Sequence, residues 1–274
     1  MICESLGVSR STYYRYKERF EQGEPARQRH STPKQDEIRD EVRELCQKHP
    51  TYGYRRIWAN LRYKKGIEVS QTTVYRVMQD EGLLQEVPRY EAKRTHQSVD
   101  FEVTGPNQVW QTDLTKVWTD SQGWVSVISI IDTFDRRIVA SRTSLLGRSK
   151  EAKDVLDEAV QKAFPNGVRG HKLKLVTDNG SQFTSKSYTG MLKTLEIEHI
   201  RTSYKHPQSI GMIERWHRSL KEEEVWLGEY ETLKKAKEGI DRWVQFYNKE
   251  RLHSALGYKT PLQFNRGSLR NSVA

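Results

Sequence analysis

The spacing of hydrophobic residues changes near residue 109. Before that point, apolar residues recur every three or four positions in three segments, which is the period of amphipathic helices. The pattern predicts three helices, with Ser70 as the N-cap of the third. Their expected inward positions are Ile38, Val42 and Leu45, then Ile57, Trp58 and Leu61, then Val74, Val77 and Met78.

From Val109 the pattern shortens to strands. The segments VWQTDLTKVW, WVSVISIID, RRIVASRT, KLKLV and IEHIRT are rich in residues that favour strands. Helical patterns follow the third, fourth and fifth: one capped by Ser149, one spanning 183–195, and a long one from about Ser209. This order predicts a mixed five-stranded sheet with flanking helices over residues 107–228, an α/β fold, followed by a helical tail at 229–274.

The N-terminal part resembles DNA-binding helical modules. Residues 1–20 predict the rear half of a helix-turn-helix, followed by a linker at 21–34. The three helices of 35–86 predict a second helix-turn-helix-like unit, and 87–106 a further linker. A plain three-helix bundle for protein contacts is the alternative, but basic residues cluster in the second helix and its turn. The candidate DNA contacts here are Ser9, Arg10, Arg55, Arg56, Thr72, Thr73 and Arg76.

Charge and cysteine content narrow the class of protein. The chain has 46 Lys and Arg against 36 Asp and Glu, a net charge of +10, and this excess favours a polyanionic partner such as nucleic acid. Its two cysteines make no disulfide framework, and no Cys/His spacing suggests zinc. The longest apolar run is too short for a bilayer, and no leader opens the chain, so we expect an intracellular protein without membrane contact.

Three acidic residues occupy positions that the hydrophobic periodicity of the strands and helices does not explain. Asp178 follows an apolar run in LKLVTDNGSQFTS, where Asp-Asn-Gly also suits a hairpin turn, but a helical pattern comes next. Asp113 lies inside the first strand, where a buried carboxylate is costly. Glu214 shares a helix face with Arg218 and Lys221, away from the apolar stripe, and a surface ion pair with Arg218 is its plain interpretation.

The segments around these acids carry a family resemblance. WQTDLT, VTDNGSQFTS and HPQSIGMIERWHRSLKEE resemble the blocks of the integrase and transposase superfamily, whose ribonuclease H-like core holds an Asp, Asp, Glu triad with 35 residues between the last two acids. TYGYRRIWANLR and YNKERLHSALGYKTPLQF are similar to the second-frame, OrfB-type transposase of two-frame bacterial insertion sequences. QSIGMIE before the glutamate and Leu252 in the tail depart from that pattern, which affects the subgroup and none of the carboxylates.

The resemblance implies a mechanism and partners. Asp113, Asp178 and Glu214 would be the catalytic residues and would bind two Mg²⁺ ions, for which Mn²⁺ can substitute, with Asp113 bridging both ions. Lys221 and Arg218 would contact phosphates near the scissile bond. The chain would free a 3′-OH at each element end and join it to another strand, through a circular intermediate and then integration.

The implied partners are double-stranded DNA, as terminal inverted repeats and target, and a second copy of the chain, since two ends must be synapsed. An upstream-frame helix-turn-helix protein would be fused to this chain or assist it, in the bacterial cytoplasm. Two other functions stay open at this point. One is a catalytically silent DNA-binding regulator, and the other is a hydrolytic nuclease of the same fold.

Overall fold

The computed structural model describes residues 33–85, 102–202 and 210–271, with a few isolated positions between 13 and 21. In the first range, three helices pack around one hydrophobic cluster: α1 (Pro33–Lys48), α2 (Tyr54–Tyr63) and α3 (Gln71–Asp80). Ser70 Oγ accepts a hydrogen bond from Thr73 N at 3.1 Å, which confirms the predicted N-cap. The predicted inward positions are buried, except Trp58, which is half-buried and donates to Val69 O.

The second and third ranges contain the predicted α/β unit. Its strands are β1 (Val109–Thr119), β2 (Gly123–Asp132), β3 (Ile138–Ser144), β4 (Lys174–Thr177) and β5 (Glu198–Arg201). They form one sheet in the order β3-β2-β1-β4-β5, antiparallel across the first three strands and parallel across the last three. The predicted fold class, a mixed five-stranded sheet with flanking helices, is confirmed.

Helices cover both faces of the sheet. On one face lie α4 (Ser149–Ala163), α5 (Ser181–Thr184) and α6 (Lys186–Thr194). The other face is covered by α7 (Gly211–Leu220), which continues into a π-helical turn at Lys221–Val225, and by α8 (Leu233–Lys249). A 3₁₀ turn (Ser254–Leu256) and α9 (Pro261–Asn271) complete the chain. Helix α8, expected in the tail, therefore contributes to the core.

Two local expectations need correction. The helix expected over 183–195 is broken at Ser185, whose backbone is extended (ψ 146°) and whose Oγ accepts from Tyr188 N to cap α6. Ser149 was expected to cap α4, but it is the first helical residue. Arg148 holds the cap position, and its N–H donates to the Glu151 carboxylate at 2.9 Å. The carboxylate of Glu151, at the third helical position, thus accepts a hydrogen bond from a backbone N–H at the start of the helix.

The three-helix unit contacts the α/β unit through a buried ion cluster. Glu223, in the π-helical turn, accepts hydrogen bonds from Arg56 of α2 at 2.8 Å and from Arg251, after α8, at 2.7 and 2.8 Å. The side chains of Glu223 and Arg251 are only 5% and 6% exposed. Although burial acts in the opposite direction, the hydrogen bonds and charges of the two arginines lower the pKa of Glu223. One carboxylate therefore joins α2, the end of α7 and the end of α8.

Candidate active site

Sheet register brings Asp113 and Asp178 to the same level. Gln111 of β1 pairs with Val176 of the parallel strand β4, and each aspartate comes two residues later on its own strand or just past its end. Neighbouring strands lie about 4.8 Å apart, and residues two apart point to the same face. The two carboxylates therefore belong to one face of the sheet, the face on which α7 packs.

Helix α7 brings Glu214 to this face. Its apolar stripe is buried as predicted, with Ile213, Trp216 and Leu220 at most 1% exposed, and Glu214 lies beside the stripe and exposed. The backbone N–H of Ile213 donates to Gln111 Oε1 at 3.1 Å. The residue before Glu214 is thus bonded to the residue two positions before Asp113, which fixes the helix against the strand.

Asp113 carries the electrostatic coupling within this group. Burial first, and then the charge of Asp113, raise the pKa of Asp178, while a hydrogen bond from Gly180 N acts against the rise. Burial and the charge of Asp113 also raise the pKa of Glu214, and His217 acts against that rise. Like charges disfavour ionisation of their neighbours, so the three acids form one electrostatic unit.

Asp178 is held by its own turn. Its Oδ1 accepts from Gly180 N at 3.0 Å, and Asn179 Nδ2 donates to Thr202 O at 2.7 Å, beyond the end of β5. Gly180 has φ −56° and precedes the first residue of α5. The Asp-Asn-Gly sequence therefore leads from strand to helix, and the hairpin alternative is excluded.

His217 is the residue of α7 that approaches Asp113. Its Nδ1 lies 3.4 Å from Asp113 Oδ2, and its side chain is 8% exposed. Asp113 Oδ1 accepts from Leu114 N at 2.7 Å. Among the described residues, His217 Nε2 has no hydrogen-bond partner. His217 therefore packs between Trp216 and the carboxylate of Asp113.

The donor set suits a hard divalent cation. Asp113 lies near enough to Asp178 and Glu214 for its charge to act on both, and within the described ranges neither Asp178 nor Glu214 makes an ion pair with a basic side chain. Oxygen ligands of this kind are those that Mg²⁺ binds, with water completing its shell. In the side-chain conformations present, no three His, Cys, Asp or Glu residues of the described part are grouped closely enough to hold an ion.

Two further acids of the core, Asp132 and Asp135, are structural. Asp132 accepts from Asn107 N at 2.6 Å and Phe134 N at 2.8 Å. Asp135 accepts from Arg137 N at 2.8 Å and Asn265 Nδ2 at 2.7 Å. Both are fully buried, and they organise the turn between β2 and β3 and attach α9 to it.

The predicted DNA contacts occupy different environments. Arg55, Thr72 and Arg76 are exposed, and Thr73 is half-buried beside Ser70. Arg56 lies in the ion cluster with Glu223, so it is committed to a protein contact. Arg218 pairs with Glu222 at 2.6 Å, and not with Glu214, the surface ion pair that the sequence also allowed. Lys221 is half-buried at the start of the π-helical turn. Ser9 and Arg10 lie outside the described residues.

Models of known domains match most of this chain. Two models described as integrase core domain match residues 103–207 and 195–261, together more than half of the chain. A model described as HTH-like domain matches residues 33–91, which include all three N-terminal helices. The chain belongs to the integrase and transposase family. This family's core is that of an enzyme class that cleaves DNA and transfers its strands.

Relatives from Escherichia coli extend the likeness along the chain. The transposase InsD for insertion element IS2A/D/F/H/I/K is 28% identical over 234 residues, covering 82% of this chain and 77% of that protein. An uncharacterized 48.2 kDa protein of insertion element IS2A is also 28% identical over 234 residues. Our chain spans only 54% of that longer relative.

Two solved structures are also similar to part of this chain. The HTLV-2 integrase catalytic core domain, in complex with magnesium, matches 59% of this chain and 97% of its own, with 18% identity and a TM-score of 0.45. The simian T-cell lymphotropic virus intasome matches 76% of this chain and 73% of its own, with 18% identity and a TM-score of 0.49.

Sequence reasoning missed two residues of the site. Gln111 carried a signal, because an amide inside a strand needs a partner when it is buried, but the partner lies 102 residues away. His217 follows Glu214 by three residues, and its contact with Asp113 joins positions 104 residues apart. Neither contact has a local pattern from which it could be read.

Proposed function

We propose that this chain is a DNA transposase that cleaves the ends of an insertion sequence and transfers the freed 3′-OH to another strand. The observation that supports the proposal is that β1, which carries Asp113, pairs with β4, which leads to Asp178, and is hydrogen-bonded to α7, which carries Glu214, in a chain that matches the integrase core. The order of events in this proposal is a circular intermediate followed by integration, as the resemblance of the sequence blocks implies.

Asp113, Asp178 and Glu214 would hold the metal. When bound, Mg²⁺, or Mn²⁺ in its place, supplies activation of the attacking oxygen and stabilisation of the leaving oxygen. The chain's own contribution is position: β1 and β4 fix two carboxylates, and the bond between Gln111 and Ile213 fixes the helix of the third. Because Asp113 raises the pKa of both other acids, a cation at this point relieves a repulsion that the fold imposes.

DNA binding is divided between two surfaces in this proposal. Residues 35–86 are the DNA-binding unit, and the exposed Thr72 and Arg76 lie one turn apart on α3, with Thr73 beside them and Arg55 on α2. Near the acids, Lys221 lies seven residues after Glu214 along the helix, and Arg218 lies between them. These basic side chains would contact phosphates, which position the DNA without reading its sequence.

The assembly would contain at least two copies, because two element ends must be held together. Terminal inverted repeats and target DNA are the proposed substrates. An upstream-frame helix-turn-helix protein, fused to this chain or assisting it, is the proposed partner. The reaction would take place in the bacterial cytoplasm.

The test is substitution of each acid by its amide. Asp113→Asn, Asp178→Asn and Glu214→Gln should each abolish cleavage and joining of labelled end DNA in Mg²⁺, while binding to the same DNA is kept. Asp120→Asn is the matched control, since Asp120 lies exposed in the turn between β1 and β2. Cleavage and joining retained by any one of the three variants would contradict a catalytic role for that acid. Binding of end DNA by the unaltered chain without cleavage or joining would favour the silent regulator. Cleaved ends without any joined product from the unaltered chain would favour the hydrolytic nuclease.

A further inference from the structure

A cavity of about 420 Å³ lies between the N-terminal helices and the core. Its walls come from α2, from the side of α7 next to Glu214, from the turn between β2 and β3, and from residues 251–258. This is within the range of sites that bind small molecules. The cavity does not include the three acids, but Arg215, the residue after Glu214, lines it.

The charge of this cavity is strongly positive. Its lining contains five arginines and no carboxylate; the five are Arg55, Arg56, Arg136, Arg215 and Arg251. Glu223 pairs with two of them, Arg56 and Arg251. Among the described residues, the other three make no ion pair with any acid, which leaves three guanidinium groups around one concavity.

The neighbouring histidine does not add to this charge. Burial first, and then the charges of Arg251, Arg136 and Arg56, lower the pKa of His253 to about 2, so the ring is neutral at neutral pH. The exposed Met212 and the half-buried Tyr258 supply less polar wall beside the arginines. A basic surface with aromatic and apolar neighbours is the usual environment for a nucleotide.

Arg136 enters the cavity from a strained turn. Its φ of 61° is in the left-handed region, which a residue with a long side chain rarely adopts. The conformation is imposed by the turn whose buried acids are Asp132 and Asp135, and Arg136 N donates to Asp132 O at 2.9 Å. A strained backbone conformation persists only where the surrounding structure enforces it, and such conformations cluster at ligand-binding sites, where they hold a side chain in a fixed position.

We propose that this cavity binds the phosphate of a single DNA nucleotide that lies outside the double helix, with Arg136 and Arg215 as its ligands. A concavity of this size accepts one nucleotide and excludes a duplex. Since Arg215 and Glu214 are consecutive residues of α7, the proposed phosphate site lies beside the helix that carries the third acid. The identity of the polyanion as DNA rests on the proposed function.

The test compares two DNA probes by fluorescence anisotropy in EDTA, where metal-dependent cleavage cannot contribute. One probe is a labelled duplex with a short 5′-phosphorylated single-stranded overhang, and the other is the same duplex with blunt ends. The variant is Arg136→Asn with Arg215→Gln, because Asn tolerates a left-handed backbone and Arg215 is exposed. The matched control, Lys234→Gln with Arg242→Gln, removes the same charge from two exposed positions of α8.

We expect the unaltered chain to bind the overhang probe more tightly than the blunt one. The Arg136/Arg215 variant should lose at least about tenfold in affinity for the overhang probe, a lower bound for the loss of two charge-assisted hydrogen bonds, and no more than the control for the blunt probe. Equal losses on both probes would show general electrostatic attraction and overturn the inference.

Two further outcomes are informative. One shows whether the cavity binds a free nucleotide and not DNA, and the other shows whether the proposed transposase function itself fails. If deoxyadenosine monophosphate raises the melting temperature of the chain while the overhang gives no advantage, the cavity binds a free nucleotide and the inference is wrong. If the unaltered chain binds neither duplex, the proposed function fails and the inference fails with it. Unaltered binding by the variant overturns the inference alone.

Discussion

The backbone N–H of Ile213 donates to Gln111 Oε1 across 102 residues of sequence, at 3.1 Å. Gln111 lies on the strand of Asp113, and Ile213 precedes Glu214 on its helix. One side-chain amide thereby sets the distance between two elements that each carry an acid of the candidate site. The bond is buried, so its loss leaves a donor without a partner.

Replacing the Gln111 amide should loosen the position of α7, and with it Glu214, relative to Asp113 on β1. Gln111→Leu should lower the free energy of unfolding by about 1–3 kcal/mol and reduce strand transfer more than stability alone explains. The control is Thr112→Val, which removes the buried bond from Thr112 Oγ1 to Ser129 O on the other face of β1. Strand transfer at a temperature at which both variants are folded is the measurement. Equal activity losses in the two variants would contradict a positioning role for Gln111.

His217 should act through Asp113. His217→Phe keeps a ring next to Trp216 and removes the nitrogen that lies 3.4 Å from the carboxylate. Groups that orient a ligand typically change metal affinity or activity by about 10–100-fold. We therefore expect the Mg²⁺ concentration needed for half-maximal strand transfer to rise, with DNA binding in EDTA unchanged. An unaltered Mg²⁺ titration would mean that His217 only packs.

The ion cluster around Glu223 should dominate the stability of the contact between α2 and the core. Glu223→Gln leaves two arginines without their partner, and breaking a buried pair in this way costs about 3–5 kcal/mol. Glu222→Gln, one residue earlier, removes an exposed pair with Arg218 and should cost at most about 0.5 kcal/mol. Denaturant unfolding of both variants gives the comparison. Similar costs would show that the cluster is as weak as a surface pair.

Asp132 should make stability depend on pH. Burial and the charge of Asp135 raise its pKa to about 6, whereas in the unfolded chain it returns to its ordinary, lower value. A raised pKa in the folded state stabilises the protein below the ordinary value, and this contribution is lost as the pH rises towards 6. The free energy of unfolding of the unaltered chain, relative to Asp132→Asn, should therefore increase by about 1 kcal/mol from pH 7 to pH 5.

The control for this measurement is Asp120→Asn, which removes a carboxylate from an exposed position in the turn between β1 and β2. If the difference in the free energy of unfolding between the unaltered chain and Asp132→Asn does not change with pH, the Asp132 carboxylate is not titrating in this range. The comparison reports Asp132 together with its effect on the neighbouring Asp135, because the two buried charges interact, whereas the titrations of distant groups are common to the unaltered chain and both variants.

The sequence by itself was enough to predict the helices and strands and to single out three acids as candidate site residues. Helical and strand periods are local, so α1, α2, α3 and the five strands followed from patterns a few residues long, as did Ser70 as a cap. The 35 residues between Asp178 and Glu214, and the blocks around them, indicated the family before any fold was known.

Only the tertiary structure decided how these parts meet. Arg56 looked like a DNA contact because its neighbours in sequence are basic, but its partner Glu223 lies 167 residues away. The bond of Gln111, the approach of His217 to Asp113 and the arginine cavity likewise join segments that are distant in the chain. Such contacts depend on burial and on which faces pack together, and local spacing carries no information about either.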